Sequence, residues 1–146
     1  MREIKFRAWN NFSKLMLLFK KPIWEWNRED RENISGGSYE LMQYTELKDK
    51  NGIEIYEGDI VKETRYISNN IVRFGKYKRQ EQSNHDRPQD NYGFYLEGIS
   101  YSDKHDIVYN FGNKSIFFDN VEVIGNIYEN PELLKEENQY GKTKKK

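Results

Sequence analysis

Two His-Asp pairs, His85-Asp86 and His105-Asp106, are the residues of this chain most like metal ligands. An imidazole and a carboxylate from each pair could share one divalent ion if their loops met. A catalytic zinc centre needs three protein ligands and an open position. No helical or hairpin spacing converges these pairs, and their polar surroundings favour solvated surface histidines, so no metal site is assigned. Four carboxylates, Asp49, Glu54, Glu57 and Asp59, stand close together. Paired carboxylates do general acid–base chemistry when held within reach of a substrate. Their neighbours argue for a plainer use. Asp49 precedes Asn51-Gly52 and Asp59 follows Gly58, and Asp or Asn beside Gly is turn chemistry. Asp49 can take turn amides, and Asp59 can cap the backbone after Gly58. No catalytic residue and no cofactor site is assigned, and the chain is not read as an enzyme. Cysteine is absent, which excludes disulfides, thiolate catalysis and cysteine-based zinc sites.

The remaining candidates bind rather than react. Arg65, Arg73, Lys76, Lys78 and Arg79 interleave with Tyr66, Phe74 and Tyr77. Cationic groups neutralise phosphates and aromatic faces stack unpaired bases. Lys142 and Lys144 to Lys146 could add a basic arm. The same alternation is what a half-buried strand requires, with charges in solvent and aromatics in the core, and that reading is favoured. Whole-chain charge gives no further support: 24 basic and 24 acidic residues balance to zero, without the basic field of a strong duplex binder. Trp24 and Trp26 could form a stacking platform or an oligomer contact, since tryptophan is favoured at interfaces. They could equally fill a core short of aliphatics.

These side chains have to be carried by strands. Hydrophobic residues make up 36% of the 146 and charged residues 33%, while aromatics reach 15%. Aromatics suit pleated, half-buried surfaces. Glu3 to Trp9 alternates with period two, Ile4, Phe6 and Ala8 on one face, as in a half-exposed strand. Asn10-Asn11 supplies a turn. Leu15 to Phe19 is continuously apolar and reads as a strand buried on both faces. Ile23 to Trp26 reads as a strand with both tryptophans on one face. Residues 27–38 and 77–91 read as loops. Leu41 to Val61 is a hairpin about Asn51-Gly52, a pair that predicts a type I′ turn with φ > 0 at both central positions. Gly58-Asp59 then restarts the chain as a strand. Ile71 to Phe74, Tyr92 to Leu96, Ile107 to Tyr109, Ile116 to Phe118 and Val121 to Tyr128 are further strands. Asn130 as N-cap and Pro131 at the first helical position predict a short C-terminal helix. Residues 138–146 form a basic tail expected to be disordered. Many short strands with one terminal helix make a single mainly-β domain over residues 1–137. No signal peptide stands out, because the apolar run Leu15 to Phe19 falls short of the roughly seven to fifteen residues a secretory core needs. It is shorter still than the roughly twenty of a membrane span. A soluble cytoplasmic protein with no membrane contact is expected.

Three segments together resemble the YopX family of phage and prophage proteins. They are MREIKFRAW at the start, LMQYTELKDKNGIEIYEGDIV from Leu41 to Val61, and EVIGNIYENPELL from Glu122 to Leu134. The family usually reads Tyr-Thr-Gly-Leu where this chain has Tyr44-Thr45-Glu46-Leu47, and glycine there would permit φ > 0. The resemblance implies a phage or prophage origin, a mainly-β fold and a bacterial cytoplasmic setting. It brings no catalytic residues to carry over. The turn-restarted strand from Glu57 to Val61 is similar to those of small SH3-like barrels, the fold expected here alongside a compact β-sheet domain. The functional expectation is an accessory protein that works by binding: to itself as a homo-oligomer, to a host or phage protein, or to nucleic acid.

Overall fold

In a computed structural model the described residues are 4–63, 68–78, 90–99, 109–110 and 120–135. They form a mostly-β fold with one short helix and a curled, half-barrel-like sheet. The strands are β1 (Phe6–Asn10), β2 (Leu15–Phe19), β3 (Tyr39–Lys48), β4 (Glu54–Tyr56), β5 (Asp59–Glu63), β6 (Ser68–Lys78), β7 (Asp90–Gly98), β8 (Tyr109–Asn110) and β9 (Val121–Asn126). One sheet has the order β2-β1-β3-β4 and the other β8-β7-β6-β5-β9. All pairs among the described strands are antiparallel; the consecutive strands among them can be joined by short connections, as antiparallel neighbours allow. The main core cluster, Ile55, Val61, Val72, Leu96 and Val121, draws on both sheets. Among the described residues no helix is long and apolar enough to cross a membrane.

Strand β1 departs from the half-exposed pattern. Ala8 is fully buried and Phe6 meets the edge of Trp26 at 5.5 Å. On the opposite face Trp9 is buried and stacks on Tyr128 at 5.6 Å. Both faces are therefore covered, one by the Trp26 segment and one by the second sheet. Strand β2 departs in the other direction. It was expected to be buried on both faces, yet it lies at the rim of its sheet, with Leu15 59% and Leu18 64% exposed. The reason is topological: among the described residues, β2 pairs with β1 alone.

Residues 27–38 are not a loop throughout. A helix, α1 (Arg28–Ser35), starts at a reciprocal capping box. Asp30 N–H donates to Asn27 Oδ1 at 2.7 Å, and Asn27 N–H donates back to Asp30 Oδ2 at 3.1 Å. Two amides that helix geometry leaves unpaired are thereby satisfied. Ile23 to Trp26 is not a strand either. Ile23–Glu25 forms a 3₁₀ turn after Pro22, and Trp24 and Trp26 diverge, 73% and 6% exposed. Trp26 packs on Phe19 at 4.8 Å and donates its indole N–H to the Lys21 carbonyl at 3.1 Å. The C-terminal helix is one 3₁₀ turn over Pro131–Leu134. Asn130 does not cap it through its side chain. Its Oδ1 accepts instead from Asn126 N–H at 3.3 Å, closing the turn after β9.

The segment expected as a loop over 77–91 is strand at its ends, since β6 runs to Lys78 and β7 starts at Asp90. Residues 79–89, the run Ile116 to Phe118 and the tail 138–146 lie outside the described residues.

Candidate functional site

The hairpin carboxylates are the groups of the sequence nearest to a catalytic set. The turn between β3 and β4 is closed by Gly52 N–H to the Asp49 carbonyl at 2.9 Å. It is not the expected I′ turn: Gly52 has φ 83°, while Asn51 is not left-handed. One left-handed residue in a longer connection suffices. Asp49 Oδ1 accepts from Asn51 N–H at 2.8 Å and Ile53 N–H at 2.9 Å. Asp49 Oδ2 accepts from Val123 N–H at 3.0 Å, on β9 of the other sheet. Burial pushes the Asp49 carboxyl up, and the three amide donors outweigh it and hold it below the ordinary value. Lys50 adds a backbone bond to the Val121 carbonyl at 3.0 Å and an ion pair to Glu122 at 2.5 Å.

The remaining three carboxylates are also engaged. Glu54 accepts from Lys5 at 2.6 Å and from the Tyr56 hydroxyl at 2.8 Å. The Lys5 bond foremost pulls Glu54 down; burial opposes it. Burial raises Glu57, against amide donors on Gln43 of one sheet and Phe74 of the other. Asp59, 1% exposed, accepts from Arg7 Nη2 at 2.5 Å and from Tyr56 N–H at 2.7 Å. Burial dominates and leaves its carboxyl above the ordinary range, with Arg7 and the amide opposing. The Asp59 cap runs back to Tyr56, before Gly58 rather than after it. Gly58, with φ 79°, brings the chain from one sheet to the other.

Residues from all three resembling segments meet at this place. Arg7 reaches Asp59, and its guanidinium lies 4.8 Å from the Tyr56 ring centre. Trp9 stacks on Tyr128. Asp59 pairs with Asn126 in the β5–β9 ladder, and Ile127 N–H donates to the Gly58 carbonyl at 2.9 Å. The arrangement is a polar joint between two sheets. Its acceptors are filled by backbone amides, by Arg7 and Lys5, and by the Tyr56 hydroxyl.

Two of the basic candidates are engaged by carboxylates. Arg73 is ion-paired to Glu97 at 2.7 Å and Lys76 to Asp90 at 2.7 Å, both across the β6–β7 ladder. Lys78 ends β6. Arg65 and Arg79 lie outside the described residues, as do His85, Asp86, His105, Asp106, Tyr66, Lys142 and Lys144 to Lys146. Tyr77 is buried and its ring packs tilted on Tyr95, whereas Phe74 stays partly exposed and meets Tyr92, itself 74% exposed, at 5.3 Å. Among the described residues no group of three His, Asp or Glu could hold a metal ion.

The sequence reading missed the rim. Beside β2 lies an open cavity of about 340 Å³, lined by Leu17 to Lys21 together with Asn27, Asp30 and Tyr39. Phe12, Leu15, Leu18, Ile23 and Trp24, all exposed, belong to the same stretch of chain. The available signal was Lys14 and Lys20-Lys21 flanking an uncharged run, a pattern typical of edge strands.

A family model described as YopX protein matches residues 5–135. No curated protein matches. Among solved structures the chain is similar to the crystal structure of protein EF1440 from Enterococcus faecalis, at 24% identity and a TM-score of 0.47, covering 92% of this chain and 100% of that one.

Proposed function

This chain belongs to the YopX family of phage and prophage proteins, and we propose that it works by binding, as a protein-interaction or self-assembling module, rather than by catalysis. The observation that carries this reading is the rim formed by β2, an uncharged strand with one neighbour and exposed leucines. Strand edges are templates for another strand, because their backbone groups need partners. The engaged state of Asp49, Glu54, Glu57 and Asp59 supports binding over chemistry, since a general base must be free to reach a substrate. The partner is a second copy of the chain or a phage or host protein, met in the bacterial cytoplasm.

Capture from phage-producing cells, with and without nuclease, tests the reading. Wild-type bait should retain a protein partner after nuclease treatment, and bait carrying Leu18→Pro should lose it. Equal capture by both baits would contradict binding at the rim.

Nucleic-acid binding is the second reading, favoured by one observation: Phe74 and Tyr92 form an exposed ring pair on the β6–β7 ladder. Exposed rings can stack unpaired bases. The engagement of Arg73 and Lys76 with carboxylates weakens the electrostatic half of this reading. Single-stranded DNA binding with a steep salt dependence would support it; its absence at low salt would remove it.

A further inference from the structure

We infer that two copies of this chain pair antiparallel through β2, about a two-fold axis at Leu17; the inference rests on the interaction reading above and narrows it to one occupant. The backbone directions in β1 decide which groups are available. Tyr44 N–H donates to the Lys5 carbonyl at 2.9 Å, and Asn11 N–H donates to the Ser38 carbonyl at 2.9 Å. Lys5 and Asn11 therefore address the β3 side. Backbone groups alternate sides along a strand, so Phe6, Ala8 and Asn10 address β2. Their register partners are Phe19, Leu17 and Leu15. It follows that Met16 and Leu18 turn their N–H and C=O groups outward, to the rim. Among the described residues, no backbone bond from elsewhere reaches either one.

The other described edges are closed or short. On β9, Val123 N–H is taken by Asp49 and the Val121 carbonyl by Lys50. Strand β4 has three residues and β8 two. Strand β2 alone offers five uncharged residues at an edge.

A second β2 fits this edge. Full antiparallel overlap sets Leu15 opposite Phe19, Met16 opposite Leu18, and Leu17 opposite its own copy. Met16 and Leu18, the two rim-directed residues, then exchange hydrogen bonds in both halves of the dimer. The same patch serves both copies, as a closed two-fold contact requires. The exposed Leu15 and Leu18, on opposite faces of the strand, each gain a lateral apolar neighbour in the process, Phe19 and Met16 of the second copy. One feature opposes pairing: Lys14 comes to lie opposite Lys20 at each end. Two exposed like-charge pairs weaken the dimer mildly, and salt screens them. Self-association should therefore tighten as salt rises, the reverse of a phosphate contact.

Sedimentation equilibrium on the full chain tests this across concentration, at low and high salt, with Leu18→Pro and Lys20→Glu. Proline is tolerated on an edge strand where the lost N–H faces outward. The wild type should form a concentration-dependent dimer whose association constant rises on the order of threefold with salt. Lys20→Glu, which turns each repulsion into attraction, should tighten the dimer at low salt. Leu18→Pro should be monomeric with a near-native urea midpoint. A wild type monomeric throughout overturns self-pairing, and it leaves the interaction reading standing if capture still depends on Leu18. A dimer indifferent to Leu18→Pro places the contact elsewhere and overturns the inference. Should Leu18→Pro misfold, Lys20→Glu decides alone: a dimer no tighter than wild type at low salt overturns it.

Discussion

At Asp49 three amides converge on one buried carboxylate, two from its own turn and one from β9. Replacing it with Asn removes one accepting lobe and should cost about 1–3 kcal/mol in urea unfolding. The pH dependence has a definite sign. The folded pKa lies below the ordinary value, so Asp49 stabilises the fold above its unfolded pKa of about 4 and loses that contribution as pH falls through the folded value. The stability gap between wild type and Asp49→Asn should narrow as pH drops below about 4. Glu46 gives a second residue-scale test. It sits at φ 68°, in the left-handed region where a side chain is disfavoured by about 1–2 kcal/mol. The left-handed geometry that glycine suits is thus kept without glycine. Glu46→Gly should stabilise by about 0.5–1 kcal/mol, after subtracting the entropy glycine adds to the unfolded chain; a loss of stability would show that the Glu46 side chain outweighs the strain.

The joint between the sheets belongs to the scale of elements. Arg7 on β1 and Asp59 on β5 are both largely buried, and their contact ties one sheet to the other. Removing one partner of a buried pair leaves the other charge uncompensated, so Arg7→Met should cost about 3–5 kcal/mol. Arg7→Met with Asp59→Asn should recover at least about 1 kcal/mol of that, since Asn still accepts from Tyr56 N–H. Recovery of nothing would mean that Arg7 acts by packing on Tyr56 alone. The elements also show what was legible beforehand. Hairpin β3–β4 was readable because Asn51-Gly52 and the flanking strands are local signals. Helix α1 was not, because Arg28–Ser35 carries no apolar stripe and its evidence was only the Asn27-Asp30 spacing of a capping box. The fates of Trp24 and Trp26 were hidden for a different reason: the 3₁₀ turn after Pro22 rotates the two apart, and period-two reasoning fails in a turn.

For the whole molecule, fold class and family were legible while the interacting surface was not. Composition, alternation and three motif segments point to a mainly-β domain, and those segments meet at the inter-sheet joint. Period and hydropathy cannot say whether an apolar strand is central or at a rim. Leu15 to Phe19 read as interior for that reason, and pairing topology made it an edge. On the reading proposed above, the molecule binds through this edge. Amide hydrogen exchange across β2, with and without a partner or at low and high protein concentration, tests it most directly. Leu17 N–H faces β1 and should be protected throughout. Leu18 and Met16 amides should exchange fast in the isolated chain and become protected on association. Association that leaves those two amides fast, with new protection around Phe74 and Tyr92 instead, would contradict it.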